Sequence, residues 1–180
     1  MIASSIVASR IDYCNAVLVG TSSYNIQRLQ RVQNQAARIV TGSRGRASAT
    51  PLLNSLHWLP VEQRISFKAA LITFKTIACG QPWYLHSLLK PYSAPRSLRS
   101  STQKLLQVLV AKTSLHSRAF SVFAPRLWNR LPQALRDLSV VCTSSVGPGL
   151  NAFEQFPNLL AFKKLLKTVL FQSDHSFLVL

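Results

Sequence analysis

The chain has 180 residues, 48% of them apolar, enough to bury a core in one domain or two small ones and too apolar for wholesale disorder. Its 21 Lys and Arg against 5 Asp and Glu give a formal charge of +16, spread from Arg10 to Lys167 rather than gathered in one tail. A folded chain with this excess repels itself and needs an anionic partner: nucleic acid first, since each neutralised phosphate releases a counterion, then an anionic membrane surface or an acidic neighbouring domain.

Residues 1–19 read as a weak helix, with Ile2, Ile6, Val7, Cys14, Val17 and Leu18 at partial helical spacing and Gly20 at its end. The start reads as falling inside a helix, without the basic leader of a signal peptide. The next helix is the clearest. Ser22 or Ser23 precedes it, Gly42 follows it, and Ile26, Leu29, Val32, Ala36, Ile39 and Val40 are spaced to form its apolar face. Arg28, Arg31 and Arg38 fall within about 80° of one another on a different face. No carboxylate occurs between Ser22 and Val61, so these arginines lack the i,i+4 partners an exposed helix usually carries. With Gln27, Gln30, Gln33, Asn34 and Gln35 around them, they make a surface suited to phosphates.

Residues 43–49 form a loop in which Arg44 and Arg46 flank Gly45, where the backbone can approach a phosphate closely. Thr50-Pro51 opens a short helix with Leu52, Leu53 and Leu56. After His57-Trp58-Leu59-Pro60, a helix from about Val61 to Gly80 carries apolar residues on two sides and is expected to be central. Arg64, Lys68 and Lys75 fall within about 40° of each other in the gap between those sides, and the nearby Glu62 is too little to pair all three. Trp58 reads as an anchor against this helix, with base stacking as its alternative; Trp83 and Trp128 also read as core residues.

A short amphipathic helix at 83–89 precedes a Ser/Arg/Pro-rich loop at 92–104. The apolar residues Leu106, Val108 and Val110 alternate, which suggests a short strand. A helical pair follows at 117–124 and 125–131, ended by Pro132. Residues 139–158 contain Gly-Pro-Gly and no basic residue, and read as a linker or insertion. The chain then closes with a basic amphipathic helix at 159–171, one face built on Leu159, Phe162, Leu165, Leu166, Val169 and Leu170 and another on Lys163, Lys164 and Lys167, before a tail at 172–180. Such a helix can cap a core, meet a partner or lie on a membrane.

Catalytic chemistry is sparse. Asp12, Glu62, Asp137, Glu154 and Asp174 are scattered, whereas two-metal phosphoryl chemistry needs clustered carboxylates. His57, His86, His116 and His175 are isolated, and no phosphate-binding glycine loop or nucleophile elbow occurs. Cys14, Cys79 and Cys142 are far apart and odd in number; they read as buried thiols of a reducing compartment. No catalytic residue, metal or cofactor is therefore assigned, nor any membrane span.

Six ordered blocks resemble one family: SRIDYCNAVLVG (9–20), LQRVQNQAARIVTG (29–42), LHWLPVEQRISFKAALITFK (56–75), PWYLHSLLKPYSAPRSLRS (82–100), RAFSVFAPRLWNRLPQALR (118–136) and FKKLLKTVLF (162–171). The family is the open reading frame of LINE-type, non-LTR retrotransposons of the jockey-like and chicken-repeat-like groups, in the region after the polymerase domain. The resemblance implies a parent RNA-directed DNA polymerase with an upstream endonuclease and a YADD-like motif, neither found here. This segment would supply thumb-like helices that hold a template–primer duplex. The sequence departs from the family pattern at 140–158, where the link is longer.

The expectation is a mainly α protein: an irregular helical bundle with Ser/Arg/Pro-rich loops and at most a short β-strand near 105–111. It comprises a basic region at 1–138, the linker at 139–158, the helix at 159–171 and the tail at 172–180. It is expected to bind RNA or an RNA–DNA hybrid through Arg28, Arg31, Arg38, Arg44, Arg46, Arg64, Lys68 and Lys75, in the nucleus or cytoplasm and not secreted. The alternatives are a module that docks on a polymerase domain, an unfolded remnant, or a membrane-surface protein acting through the last helix.

Overall fold

The computed structural model describes residues 2–43, 48–93, 103–139 and 157–172. In chain order these form α1 (Ile2–Asp12), a 3-10 turn (Asn15–Leu18), α2 (Ser23–Thr41), α3 (Thr50–Ser55), α4 (Val61–Cys79), α5 (Trp83–His86), α6 (Ser114–Ser117), α7 (Phe120–Arg130), α8 (Gln133–Asp137) and α9 (Pro157–Gln172). The fold is an irregular helical bundle. Arg44, Arg46 and most of the 139–158 segment lie outside the described residues.

The helix α4 is central, as its two-sided apolar pattern predicts. Val61, Ile65, Ala69, Ala70, Phe74 and Ala78 are buried, and α1, α2, α5, α7, α9 and the 3-10 turn all pack on it. Its alanines allow close approach of neighbouring helices. The core runs from Ile11 and Val19 through α4 to Leu127 and Trp128 of α7 and on to Phe162, Leu166 and Leu170 of α9. Phe162 is stacked on Phe74 with ring centroids 4.1 Å apart, and Trp128 lies beyond it at 6.3 Å. The last helix therefore closes the core.

Glycines end the two longest helices: Gly42 and Gly80 take φ of 65° and 64° at the C-caps of α2 and α4. The start of α4 has no side-chain cap of its own. Instead Gln30 of α2 accepts the Val61 N–H at 2.8 Å through Oε1, and Gln33, buried, donates through Nε2 to the Leu59 carbonyl at 2.8 Å. Part of the polar row on α2 thus serves the fold by satisfying groups that a helix start leaves unpaired.

Several expectations need correction. The first helix does not run to Gly20. It stops at Asp12, Cys14 turns left-handed at φ 49°, and the chain resumes as a 3-10 turn that buries Asn15. Cys14 is consequently exposed, and Cys79 is half-buried. On α2 the buried face comprises Gln33, Ala36 and Ala37, with Ile26 and Leu29 packed beside them. Val32 and Ile39 lie about 100° away from its centre and are 45% and 79% exposed. Trp83 is 72% exposed because α5 is a single turn, in which Leu85, with Leu89 beyond, takes the inward position. Trp128, by contrast, is fully buried.

The segment around Leu106 forms no strand; it makes one isolated antiparallel bridge with Pro91. Its backbone is paired by two bonds of that bridge, Tyr92 N–H to the Leu105 carbonyl at 2.9 Å and Gln107 N–H to the Lys90 carbonyl at 2.8 Å, and beyond them by side chains. Asn129 accepts from Leu106 N–H at 2.9 Å and donates to the Leu106 carbonyl at 2.8 Å, and Trp128 Nε1 donates to Lys104 O at 3.0 Å. Arg136, buried, donates to the carbonyls of Gln103 at 3.0 Å, Asn129 at 3.1 Å and Leu131. With those groups paired, the extended chain needs no sheet partner. Beneath it α7 continues through Pro125, held by buried Val122, Phe123, Leu127 and Trp128, and ends at Arg130 ahead of Pro132, which stands at the N-cap of α8.

Candidate nucleic-acid interface

The eight basic residues marked by the sequence do not form one uniform surface. Arg28 and Arg31 are exposed on α2, and the Arg28 guanidinium lies 5.9 Å from the centre of the Tyr24 ring, an arrangement that orders the side chain while leaving its donors to solvent. Arg38, one turn before the end of α2, is half-buried. Lys68 and Lys75 are exposed on α4.

Arg64 differs from both sets. Its Nη1 donates to Asp12 Oδ1 at 2.8 Å, and its Nε donates to the Leu59 carbonyl at 3.1 Å. The side chain is 14% exposed and Asp12 53%. Asp12, 52 residues away in sequence, thus supplies a carboxylate in addition to Glu62 of α4, and Arg64 first serves to join α1 to α4.

Arg64 and Lys68 nevertheless face an open cleft of about 390 Å³. Across it stand Lys163 and Lys167 of α9, with Asp12, Asn15 and His57 bordering it and Leu59, Phe67 and Leu71 supplying apolar surface. Lys75 does not line it, so the three cations of α4 are divided between the cleft and the outer surface. Helix periodicity places Lys163 and Lys167 on one flank of α9. It carries no signal that α9 would bring them opposite α4, because that depends on Phe162, Leu166 and Leu170 being buried against Phe74 and its neighbours. His57 reaches the rim through a left-handed backbone, φ 53°, while Trp58 turns inward, half-buried beside Val7, Ile11 and Ala36.

Among the described residues no group of three His, Cys, Asp or Glu side chains is placed to hold a metal ion. No described helix is long and apolar enough to cross a membrane. No family model, curated protein or solved structure was found to match the chain.

Proposed function

We propose that this chain is a non-catalytic nucleic-acid-binding module that holds RNA or an RNA–DNA hybrid through its phosphates. The supporting observation is the pairing of α2 and α4. These helices pack on each other and present Arg28, Arg31, Lys68 and Lys75 to solvent, while the one carboxylate between Ser23 and Cys79 is the half-buried Glu62. Exposed cations on helices that carry a single, half-buried carboxylate suit sequence-independent phosphate contact. The resemblance to the post-polymerase region of LINE-type proteins fits the same role, as a thumb-like segment of an RNA-directed DNA polymerase.

The test is fluorescence anisotropy of a labelled RNA–DNA hybrid with the purified chain, titrated against salt. A log–log slope of several units is expected. Binding that is absent at low salt, or insensitive to salt, overturns the reading.

One observation favours a second reading, docking on a polymerase domain: Val32 and Ile39 are exposed beside the arginines of α2. Under that reading a pull-down with a LINE-type polymerase domain survives high salt and is lost on Ile39→Ser, while binding of free hybrid is weak.

A further inference from the structure

The chain carries three tryptophans, and the fold places them differently. Trp128 is fully buried and Trp58 half-buried, whereas Trp83 is 72% exposed and its chain neighbour Tyr84 57%. The rings of Trp83 and Tyr84 meet edge to face, with centroids 6.4 Å apart and planes at 86°. A single exposed aromatic side chain is ordinary. Two of them set at a right angle make a corner whose walls are flat, apolar and open to solvent.

The corner is held from beneath. Leu85 and Leu89 take the inward positions, and α5 packs on α4. The Ser87 N–H donates to the Trp83 carbonyl at 2.9 Å, and the Ser87 hydroxyl donates to the Tyr84 carbonyl at 3.0 Å. At the far end of the segment the Lys90 carbonyl accepts from Gln107 N–H, and Tyr92 N–H donates to the Leu105 carbonyl. The backbone that displays the rings is therefore ordered before any ligand arrives, which lowers the cost of binding.

Charge and ring chemistry indicate the occupant. No Asp or Glu occurs between Glu62 and Asp137. Lys90 is exposed on the same segment, and exposed Lys75 stands one turn before the end of α4, from which Gly80–Pro82 leads directly into α5. Of the large apolar side chains exposed between 83 and 92, Trp83, Tyr84 and Tyr92 are aromatic and Leu88 alone is aliphatic. Flat rings with cations nearby and no carboxylates match the two halves of a nucleotide, the base and the phosphate.

We propose that Trp83, with Tyr84 as the second wall, is a stacking platform for the unpaired bases of a single nucleic-acid strand, in a positive field to which Lys75 and Lys90 contribute. Every base has a π-face, so the platform adds affinity without reading sequence. Bases inside a duplex have both faces covered and gain nothing from it. The inference rests on the nucleic-acid reading and extends it from phosphates to bases: α2 and α4 hold a backbone, and α5 favours strands whose bases are open.

The experiment uses the full chain and two labelled strands of about 12 nucleotides, an oligothymidylate and an abasic oligomer with the same phosphates. Anisotropy should show the oligothymidylate binding about tenfold more tightly, and only this strand should quench the tryptophan fluorescence. Trp83→Ala should remove the difference between the strands and leave RNA–DNA hybrid binding unchanged. Trp83→Phe, which keeps a ring, should restore most of the difference, and Leu88→Ser should leave it intact. The comparison of the two strands on the unaltered chain decides the matter even where Trp83→Ala disturbs α5. Equal affinity for the two strands, with the hybrid still bound, overturns the platform alone and leaves the corner to a protein partner. A loss in Leu88→Ser equal to that in Trp83→Ala overturns it as well, because general apolar contact would then account for the binding. Base-dependent binding without hybrid binding overturns the α2 and α4 reading alone, and absence of all binding overturns both.

Discussion

Arg136 of α8 and the arginines of α2 stand at helical positions in the same basic chain, and the fold uses them in opposite ways. Arg136 is 6% exposed and donates to three backbone carbonyls. Arg28 and Arg31 are exposed, and the neighbour of Arg28 is an aromatic ring. Backbone demand explains the difference. The Gln103 carbonyl lies in the extended segment beside α7 and α8, and the Asn129 and Leu131 carbonyls lie at the end of α7 where the helix stops; a five-donor guanidinium can serve all three at once. The carbonyls of α2 are satisfied within the helix, so arginines on its outer face have no such task. An arginine's role in this protein therefore depends on whether unpaired carbonyls lie within its reach.

If that is right, stability should fall in the order in which arginines engage the backbone. Arg136→Gln is expected to have the largest effect, a loss of about 3 kcal/mol or more, because several buried carbonyls lose a charged donor together. Urea denaturation followed by circular dichroism measures it. An unchanged midpoint would break the comparison at its strongest point, since it would mean that the bonds from Arg136 to Gln103, Asn129 and Leu131 contribute nothing to the folded state.

Arg64 comes next. It has one carbonyl, that of Leu59, and one carboxylate, that of Asp12, and the carboxylate is half open to water. Screening reduces the ion pair, so Arg64→Gln should cost about 1–2 kcal/mol. The companion change Asp12→Asn should cost less than Arg64→Gln, because it leaves the Leu59 bond in place. Equal losses would assign the whole effect to the ion pair.

Arg118 is the intermediate case. Its head is exposed, but Nε donates to the Val19 carbonyl at 3.1 Å and its stem lies over Gly20. A Cβ on Gly20 would stand 2.7 Å from Arg118 Cγ, at a backbone φ of +69°. Gly20→Ala is therefore expected to cost about 1–2 kcal/mol, mostly from the left-handed backbone, with the flexible Arg118 stem giving way. Combining Gly20→Ala with Arg118→Ala should cost less than the sum of the two single changes, and strict additivity would show that stem and glycine do not meet.

The sequence disclosed the parts of this order that are local. The helices at 23–41 and 61–79 are legible from their apolar spacing, with the glycines after them marking their ends, as is the last helix over 159–171, two residues short of its start at Pro157; the central place of α4 follows from its two-sided pattern. What was illegible depends on distant groups. Leu106, Val108 and Val110 alternate like a strand, but beyond the single bridge to Pro91 the hydrogen bonds of this segment come from Trp128, Asn129 and Arg136. Gln30 and Gln33 looked like companions of the phosphate-facing arginines, and they pair with the turn before α4. Helical angle groups Arg64 with Lys68 and Lys75, while its partner Asp12 lies beyond α2 and α3 in the chain. Lys163 and Lys167 were visible as a basic flank, and only the packing of Phe162 brings them to the cleft with Arg64 and Lys68. Helical angle specifies which side of a helix a residue occupies; the element it meets there is set by the core.

Arg28 and Arg31 stand at the low end of the order, and they carry the functional half of the comparison. Changing both to Gln should leave the urea midpoint where it is, since neither residue supports the core. The same double variant should weaken binding of an RNA–DNA hybrid and lower the log–log salt slope by about 2 units, one for each lost phosphate contact. Stability and binding thus move in opposite senses along the series: Arg136→Gln lowers stability and leaves the salt slope of the folded fraction intact, and the α2 variant does the reverse. An α2 variant that lowers the midpoint but not the slope would place these arginines with Arg136 as parts of the scaffold, and would move the phosphate contacts to α4 and α9.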